Sequence, residues 1–311
     1  MKIIKIGTRK SKLAMWQAEH VEALLNQAGM KTEILSTETI GDKILNTSIA
    51  KIGSKGVFTE EIEEMLRIGE IDIAVHSAKD MPSTLPVGLE FIAFAKREKV
   101  NDVLLSKDPG FSIDDSSKQV TVGTSSVRRV AMMKHFYPHV KTVEMRGNLQ
   151  TRIRKMEDGQ CDALMLAYAG VKRMHYEDMI VKTFSVEEFV TPTGQGSVAV
   201  EIASSMPDDI KAAIKNCINC EKTEAQIIAE RSFLAELQGG CSIPVFAHAE
   251  LDNEILAMSA GLISLDGTTL IKKTMTKSRN EALALGKELG RYVLENGGKE
   301  ILDEIRKQQG N

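Results

Sequence analysis

IKIGTRKSKLA at 4–14 and TVGTSSVRRVA at 121–131 follow one plan: a short β-branched strand, Gly-Thr, polar residues, and then the start of a helix. A second pair repeats further along. GEIDIAVHSA at 69–78 and GQCDALMLAYA at 159–169 each read as a turn glycine, an aspartate, and a buried-type strand ending in small residues. Outward from these pairs, apolar runs alternate with helical spacing. Strands are expected at 2–6, 32–36, 71–75, 120–123, 142–145 and 162–166, and helices at 11–26, 59–67, 126–135 and 149–157. The rhythm predicts α/β units with a largely parallel sheet. The matched pairs suggest two related α/β domains facing one another. The alternative is that any βα junction favours Gly, Ser and Thr.

The pattern changes at EEFVTPTGQGSVAVEIA (187–203), where a proline and two glycines precede an alternating run. This suits a crossover that returns the chain to the first domain, followed by a helix at 208–216. From about 220 the order is different: a helix at 223–237, strands at 245–251, 255–264 and 269–276, then helices at 280–295 and 299–307. That order predicts a smaller α+β domain with an antiparallel sheet. The expected division is 1–96 with 193–217, then 100–189, then 220–311.

Composition narrows the function classes. The 311 residues are 42% hydrophobic and 27% charged, which excludes a disordered chain. No apolar run reaches the roughly 18–20 residues of a membrane span. MKIIKIGTRK (1–10) shows no signal-peptide pattern, so a cytoplasmic protein is expected. A net charge of −3 and 5% aromatic residues argue against bulk nucleic-acid binding, so an anion site must come from local clustering. The four cysteines, at 161, 217, 220 and 241, read as thiols rather than a disulfide frame. Cys217-x-x-Cys220 lacks a second pair for zinc, and Pro138 separates His135 from His139, so no metal is expected.

Three segments can carry chemistry. Gly123-Thr124-Ser125-Ser126 opens a helix, and Arg128, Arg129, Arg146, Arg152 and Arg154 follow within 27 residues. Helix N-terminal N–H groups and forked guanidinium groups both suit carboxylates or phosphates. A solvated helix face is the other reading. Arg9, at the matching junction of the first half, favours a polyanion between the halves. AVHSAKDMP (74–82) places His76, Ser77, Lys79 and Asp80 just beyond a strand's carboxyl end, where α/β sheets bind ligands. An ordinary strand-end turn is the alternative. LQGGCSIPV (237–245) sets Cys241 behind two glycines, which permit close approach by a bulky group, although a buried inert thiol fits too.

Together IGTRKSKLAMWQA (6–18), AVHSAKDMP (74–82), VGTSSVRR (122–129), MRGNLQTR (145–152), LAYAGVKR (166–173), TPTGQG (191–196) and LQGGCSIPV (237–245) resemble the porphobilinogen deaminase (hydroxymethylbilane synthase) family, in family order. The resemblance implies two hinged lobes like type II periplasmic binding proteins plus a C-terminal domain. It implies a dipyrromethane cofactor on a thioether to Cys241. It also implies that four porphobilinogen units are joined head-to-tail with loss of ammonia. Each unit adds two carboxylates. By the resemblance, Arg9, Ser11, Arg146, Arg152, Lys55 and Gln195 bind substrate. Ser77, Lys79, Thr124, Ser125, Ser126, Arg128 and Arg129 hold the cofactor. Asp80 is the catalytic carboxylate, stabilising an azafulvene-like cation, and Lys55 belongs to a lid. A monomer acting on a small molecule, without nucleic-acid or membrane partners, is expected. The competing reading is a non-enzymatic hinged binder of a polycarboxylate. Cys241 distinguishes the two, because a simple binder has no use for a loaded thiol.

Overall fold

The computed structural model describes residues 3–43, 59–240 and 242–309. The chain runs β1 (Ile4–Arg9), α1 (Lys12–Gln27), β2 (Thr32–Thr37), α2 (Ile40–Lys43), α3 (Glu60–Arg67), β3 (Ile73–Ser77) and β4 (Leu89–Phe94). It continues through β5 (Asp102–Leu105), β6 (Thr121–Gly123), α4 (Val127–Phe136), β7 (Lys141–Val143), α5 (Leu149–Glu157), β8 (Ala163–Ala167), α6 (Tyr168–Arg173) and β9 (Ile180–Thr183). Next come β10 (Val198–Ala203), α7 (Asp208–Ile218) and α8 (Glu221–Glu236). The last part holds β11 (Val245–Asp252), β12 (Ile255–Ile263), β13 (Leu270–Ser278), α9 (Ala282–Val293) and α10 (Lys299–Gln309).

Two five-stranded sheets have the same plan, β2-β1-β3-β10-β4 and β7-β6-β8-β5-β9. In each, four strands run the same way and one, β10 or β5, runs against both of its neighbours. Strand direction is therefore largely shared, as expected, with one reversed strand in each sheet. The duplicated junctions also match in detail. Asp72 Oδ2 accepts from Lys5 N at 2.9 Å and Asp162 Oδ2 accepts from Thr121 N at 2.7 Å, so each aspartate ties the strand it opens to the first strand of its own lobe. The strands unforeseen in sequence are LEFIAF, DVLL and IVKT (β4, β5, β9). They are short and lack clean alternation, and their partners lie far away in the chain.

β10 returns from the second lobe into the first sheet, between β3 and β4, as the TPTGQG crossover suggested. Its inward Val198, Val200 and Ile202 join Ile6, Val21, Ile73 and Val75 in the first lobe's core. In the second lobe Val122, Ala131, Met132, Met165, Phe184 and Phe189 pack on one sheet face. The third unit is a three-stranded antiparallel sheet, β11-β12-β13, covered by α8 and α9 around Phe233, Leu285 and Leu289. Burying side chains of this size stabilises the fold by about 1.5–3 kcal/mol each. The third unit also lends Ile227 to the first lobe and Phe246 to the second, so it braces both.

Two chain segments cross between the lobes, and α8 knits them together. Arg97, on the first crossing, donates from Nη1 and Nη2 to Glu230 at 2.6 and 3.0 Å and from Nε to Gln195 O at 2.9 Å. Glu230 also accepts from Gly194 N on the second crossing (2.7 Å) and from Ala249 N in β11 (2.9 Å). Burial alone would raise the Glu230 pKa, but Arg97 and His248 together outweigh it and hold the carboxyl down at about 2.

Candidate active site

β1 and β3 run parallel, so their carboxyl ends open on one side. Arg9, Ser11, Thr59, His76, Ser77 and Asp80 line a recess there. Ser11 caps α1, its Oγ accepting from Ala14 N at 3.3 Å. The Ser77 hydroxyl accepts from Gln17 Nε2 at 2.8 Å. Beyond Ser77 the chain makes a single 3₁₀ turn, Ala78–Asp80, which carries Lys79 and Asp80. Ala78 N donates to Ser197 O at 3.0 Å, so the β10 crossover supports this turn. Gly194 lies under the turn with φ +76°, and a Cβ there would stand 2.8 Å from the Ala78 carbonyl carbon.

The second lobe faces this turn with cations. Ser126 caps α4, Thr124 Oγ1 accepts from Ser126 N at 3.3 Å, and the Ser125 hydroxyl donates to Met145 O. Asn148 caps α5 by accepting from Thr151 N at 2.9 Å. Gly147, at φ +112°, turns its carbonyl to accept from Arg152 Nε at 2.7 Å. Burial, with Arg129 and Arg146 adding repulsion, pushes the Arg152 pKa down to about 10 against the pull of Asp80. Burial also lowers Lys79. Asp80 and Asp102 oppose that shift, while Arg129 and Arg152 reinforce it. Lys79 and Asp80 of one lobe are thus near enough to Arg152 of the other to feel its charge.

Arg128 and Arg129 are placed differently from a pair reaching for a ligand. Both are buried against Asp102, the first residue of β5. Arg128 Nη2 donates to Asp102 Oδ2 at 2.5 Å and Nη1 to Val190 O at 2.9 Å. Arg129 donates to Asp102 Oδ1 from Nε and Nη2 at 3.1 and 2.7 Å, and from Nη1 to Met165 O at 2.9 Å. Burial would raise Asp102, yet the two guanidinium groups hold it well below the usual carboxylate range. Gln195 corrects the sequence expectation. It is wholly buried and donates to Asp102 Oδ1 (2.9 Å) and Val100 O (2.6 Å), so it supports the hinge rather than facing the cleft.

Cys241 and Lys55 lie outside the described residues. On either side of Cys241, Gly239 N donates to Leu234 O at 3.0 Å and Ile243 N to Gly240 O at 3.1 Å. His135 and His139 bond separate carbonyls, those of Gly267 and Ile113. Sequence reasoning missed Asp102, Glu230 and Arg97. The available signal was a charge opening or interrupting an otherwise apolar run, which demands a partner.

The sequence pattern described as "Porphobilinogen deaminase, dipyromethane cofactor binding domain" matches residues 4–211, and "Porphobilinogen deaminase, C-terminal domain" matches residues 225–295. The chain belongs to the porphobilinogen deaminase family. It is 56% identical over 306 residues to the porphobilinogen deaminase of Desulfosudis oleivorans, covering 98% of this chain and 99% of that one. To the porphobilinogen deaminase of Cytophaga hutchinsonii it is 50% identical over 307 residues, covering 98% of each. Among solved structures it is similar to the second substrate binding domain of a putative amino acid ABC transporter from Streptococcus pneumoniae (TM-score 0.44, 14% identity, 69% of this chain and 91% of that one).

The cleft fits the dipyrromethane of a porphobilinogen deaminase, which carries acetate and propionate groups. Arg146 Nη1 is buried without a hydrogen-bond partner, and Arg152 feels the repulsion of Arg129 and Arg146 against the pull of Asp80. An orphaned guanidinium N–H beside crowded cations calls for a carboxylate ligand.

Proposed function

We propose that this cleft joins four porphobilinogen molecules head-to-tail into hydroxymethylbilane, with Asp80 at the reacting centre and Arg9, Arg146 and Arg152 on the substrate carboxylates. The observation that carries the reading is Asp80 in the recess with Arg9 and Ser77, near enough to Arg152 of the opposite lobe to feel its charge, while Arg146 Nη1 is buried without a hydrogen-bond partner. The dipyrromethane, bound through Cys241, supplies the free pyrrole α-carbon on which the rings are extended.

The protein's own groups do the rest. When the substrate's aminomethyl C–N bond breaks and ammonia leaves with the electron pair, positive charge spreads over the substrate ring. Asp80 accepts the ring N–H and stabilises that charge. A fixed carboxylate in a water-poor cleft does this without reorganising. Arg146 and Arg152 neutralise incoming carboxylates, whose repulsion would otherwise grow with each unit added. Lys79, Ser11, Ser77, Thr124, Ser125 and Ser126 ring the cleft with further donors. Arg129 contributes field to it, and Arg128 acts through Asp102 by fixing Arg129. Lys55, in GDKILNTSIAKIGSKGVF (41–58), is assigned to a lid.

The division into 1–96 with 193–217, 100–189 and 220–311 follows the three sheets. A monomer in the cytoplasm is the working state. No helix among the described residues is long and apolar enough to cross a membrane.

Denaturing intact-mass measurement with peptide mapping tests the reading. Two linked pyrroles are expected on Cys241 alone, and none in Cys241→Ala. Turnover of porphobilinogen by protein with an unmodified Cys241 would overturn it. Arg146→Leu and Arg152→Leu are expected to load cofactor yet lose one to two decades in elongation, since a charge-assisted hydrogen bond is worth about 1.5–3 kcal/mol.

A further inference from the structure

The turn bearing Lys79 and Asp80 is packed at one end and hydrogen-bonded at the other. On its N-terminal side buried His76 packs 3.1 Å from buried Glu201 of β10, a close approach without hydrogen-bond geometry. On its C-terminal side Arg231 of α8 donates from Nη2 to Pro82 O at 2.8 Å and to Ser83 O at 3.2 Å. The Arg231 guanidinium also lies over the Phe91 ring, 4.6 Å from its centroid.

We propose that Arg231 is a positioning residue, fixing the Asp80 carboxylate relative to the third unit. The inference rests on the assignment of Asp80 made above. The argument is mechanical. Pro82 has no N–H, so the Met81–Ser83 stretch cannot anchor itself by a backbone donor at that position. The Pro82 and Ser83 carbonyls instead converge on one guanidinium nitrogen, Nη2, whose two N–H bonds lie in the rigid plane of the group and so fix direction as well as distance. That guanidinium sits on α8, next to Glu230, which clasps both interlobe crossings, and ten residues before Cys241. A single helix therefore sets the Asp80 turn, the hinge and the start of the cofactor loop in one frame.

The test uses cofactor-loaded holoenzyme. Arg231→Met removes both donors and keeps an apolar stem over Phe91. Arg231→Lys keeps the charge and one compact donor. The expected result is full loading by intact mass, KM for porphobilinogen within about twofold of wild type, and kcat reduced about a hundredfold in Met with partial recovery in Lys. A displacement near 1 Å at a reacting group costs that much. Wild-type kcat in loaded Arg231→Met overturns the inference. So does a kcat loss that tracks loading and is not rescued by Lys. If Arg231→Met fails to fold, Arg231→Lys and Arg231→Gln carry the same comparison, with kcat ordered Arg, Lys, Gln at constant KM. Asp80→Asn separates the two claims. If it condenses substrate at the wild-type rate, the Asp80 assignment fails. If it is slow while Arg231→Met is not, only the positioning role fails.

Discussion

Asp80 and Asp102 are two carboxylates among arginines with opposite duties. Asp80 faces the recess, beside Arg9 and Ser77, where a ligand can meet it. Asp102 is fully buried and spends both oxygens on Arg128, Arg129 and Gln195. Substitution therefore separates them. Asp80→Asn keeps size and removes charge, while Asp80→Glu keeps charge and moves it by one methylene. If charge stabilisation dominates, Glu retains more activity. Asn loses on the order of a hundred- to a thousandfold in single-turnover rate, matching about 3–4 kcal/mol for a preorganised contact. Asp102→Asn should instead act on stability. It leaves two buried guanidinium groups without their counter-charge, which costs about 3–5 kcal/mol in a denaturant titration. An unchanged midpoint would show that Asp102 is dispensable.

At the scale of elements, the TPTGQG crossover and the Ala78–Asp80 turn form one unit. Gly194 has a backbone angle disfavoured for side chains, and an added Cβ would press on Ala78 at 2.8 and 3.0 Å against its backbone and Cβ. Gly194→Ala is expected to displace the Asp80 turn. Melting and kcat should both fall, with kcat down by at least tenfold, as misplacement of a reacting group demands. Retention of wild-type kcat would mean that the turn does not rest on the crossover. Much of this was legible in sequence. Helix α5 lies at the residues its spacing gave, and the Gly-Thr junctions, the turn glycines and the returning strand all fell where the pattern put them. β5 was not legible, because DVLL shows neither alternation nor helical spacing; its identity depends on pairing with β8 and β9.

Across the whole molecule, Glu230 is the carboxylate on which three units converge. Its pKa is depressed from 4.5 to about 2, so its contribution to stability is full above about pH 4.5 and is lost as pH falls towards 2. Glu230→Gln abolishes that contribution at every pH and strands Arg97. Wild type and variant should differ by about 3–5 kcal/mol at pH 7 and converge in acid. Chemical denaturation at pH 7 and pH 3 measures both. A gap that does not narrow at pH 3 would refute the ion-pair account. Loss of this clasp should also loosen the relation between the lobes, seen as altered limited proteolysis near 95–101 and 190–197.

The amino-acid sequence by itself determined the α/β repeat, the crossover, the third unit and the family, and it pointed to Asp80 and Cys241 as the proposed chemical centres. These follow from periodicity, caps, turn residues and motifs, all of which act over a few positions. Only the tertiary structure decided which charges meet. Asp102 finds Arg128 26 residues away, and Arg97 finds Glu230 across 133. Four of the five arginines that the sequence presents as one cationic cluster are divided by folding. Burial in low dielectric forces Arg128 and Arg129 onto an internal carboxylate, and leaves Arg146 and Arg152 in the cleft with Arg9 across the recess.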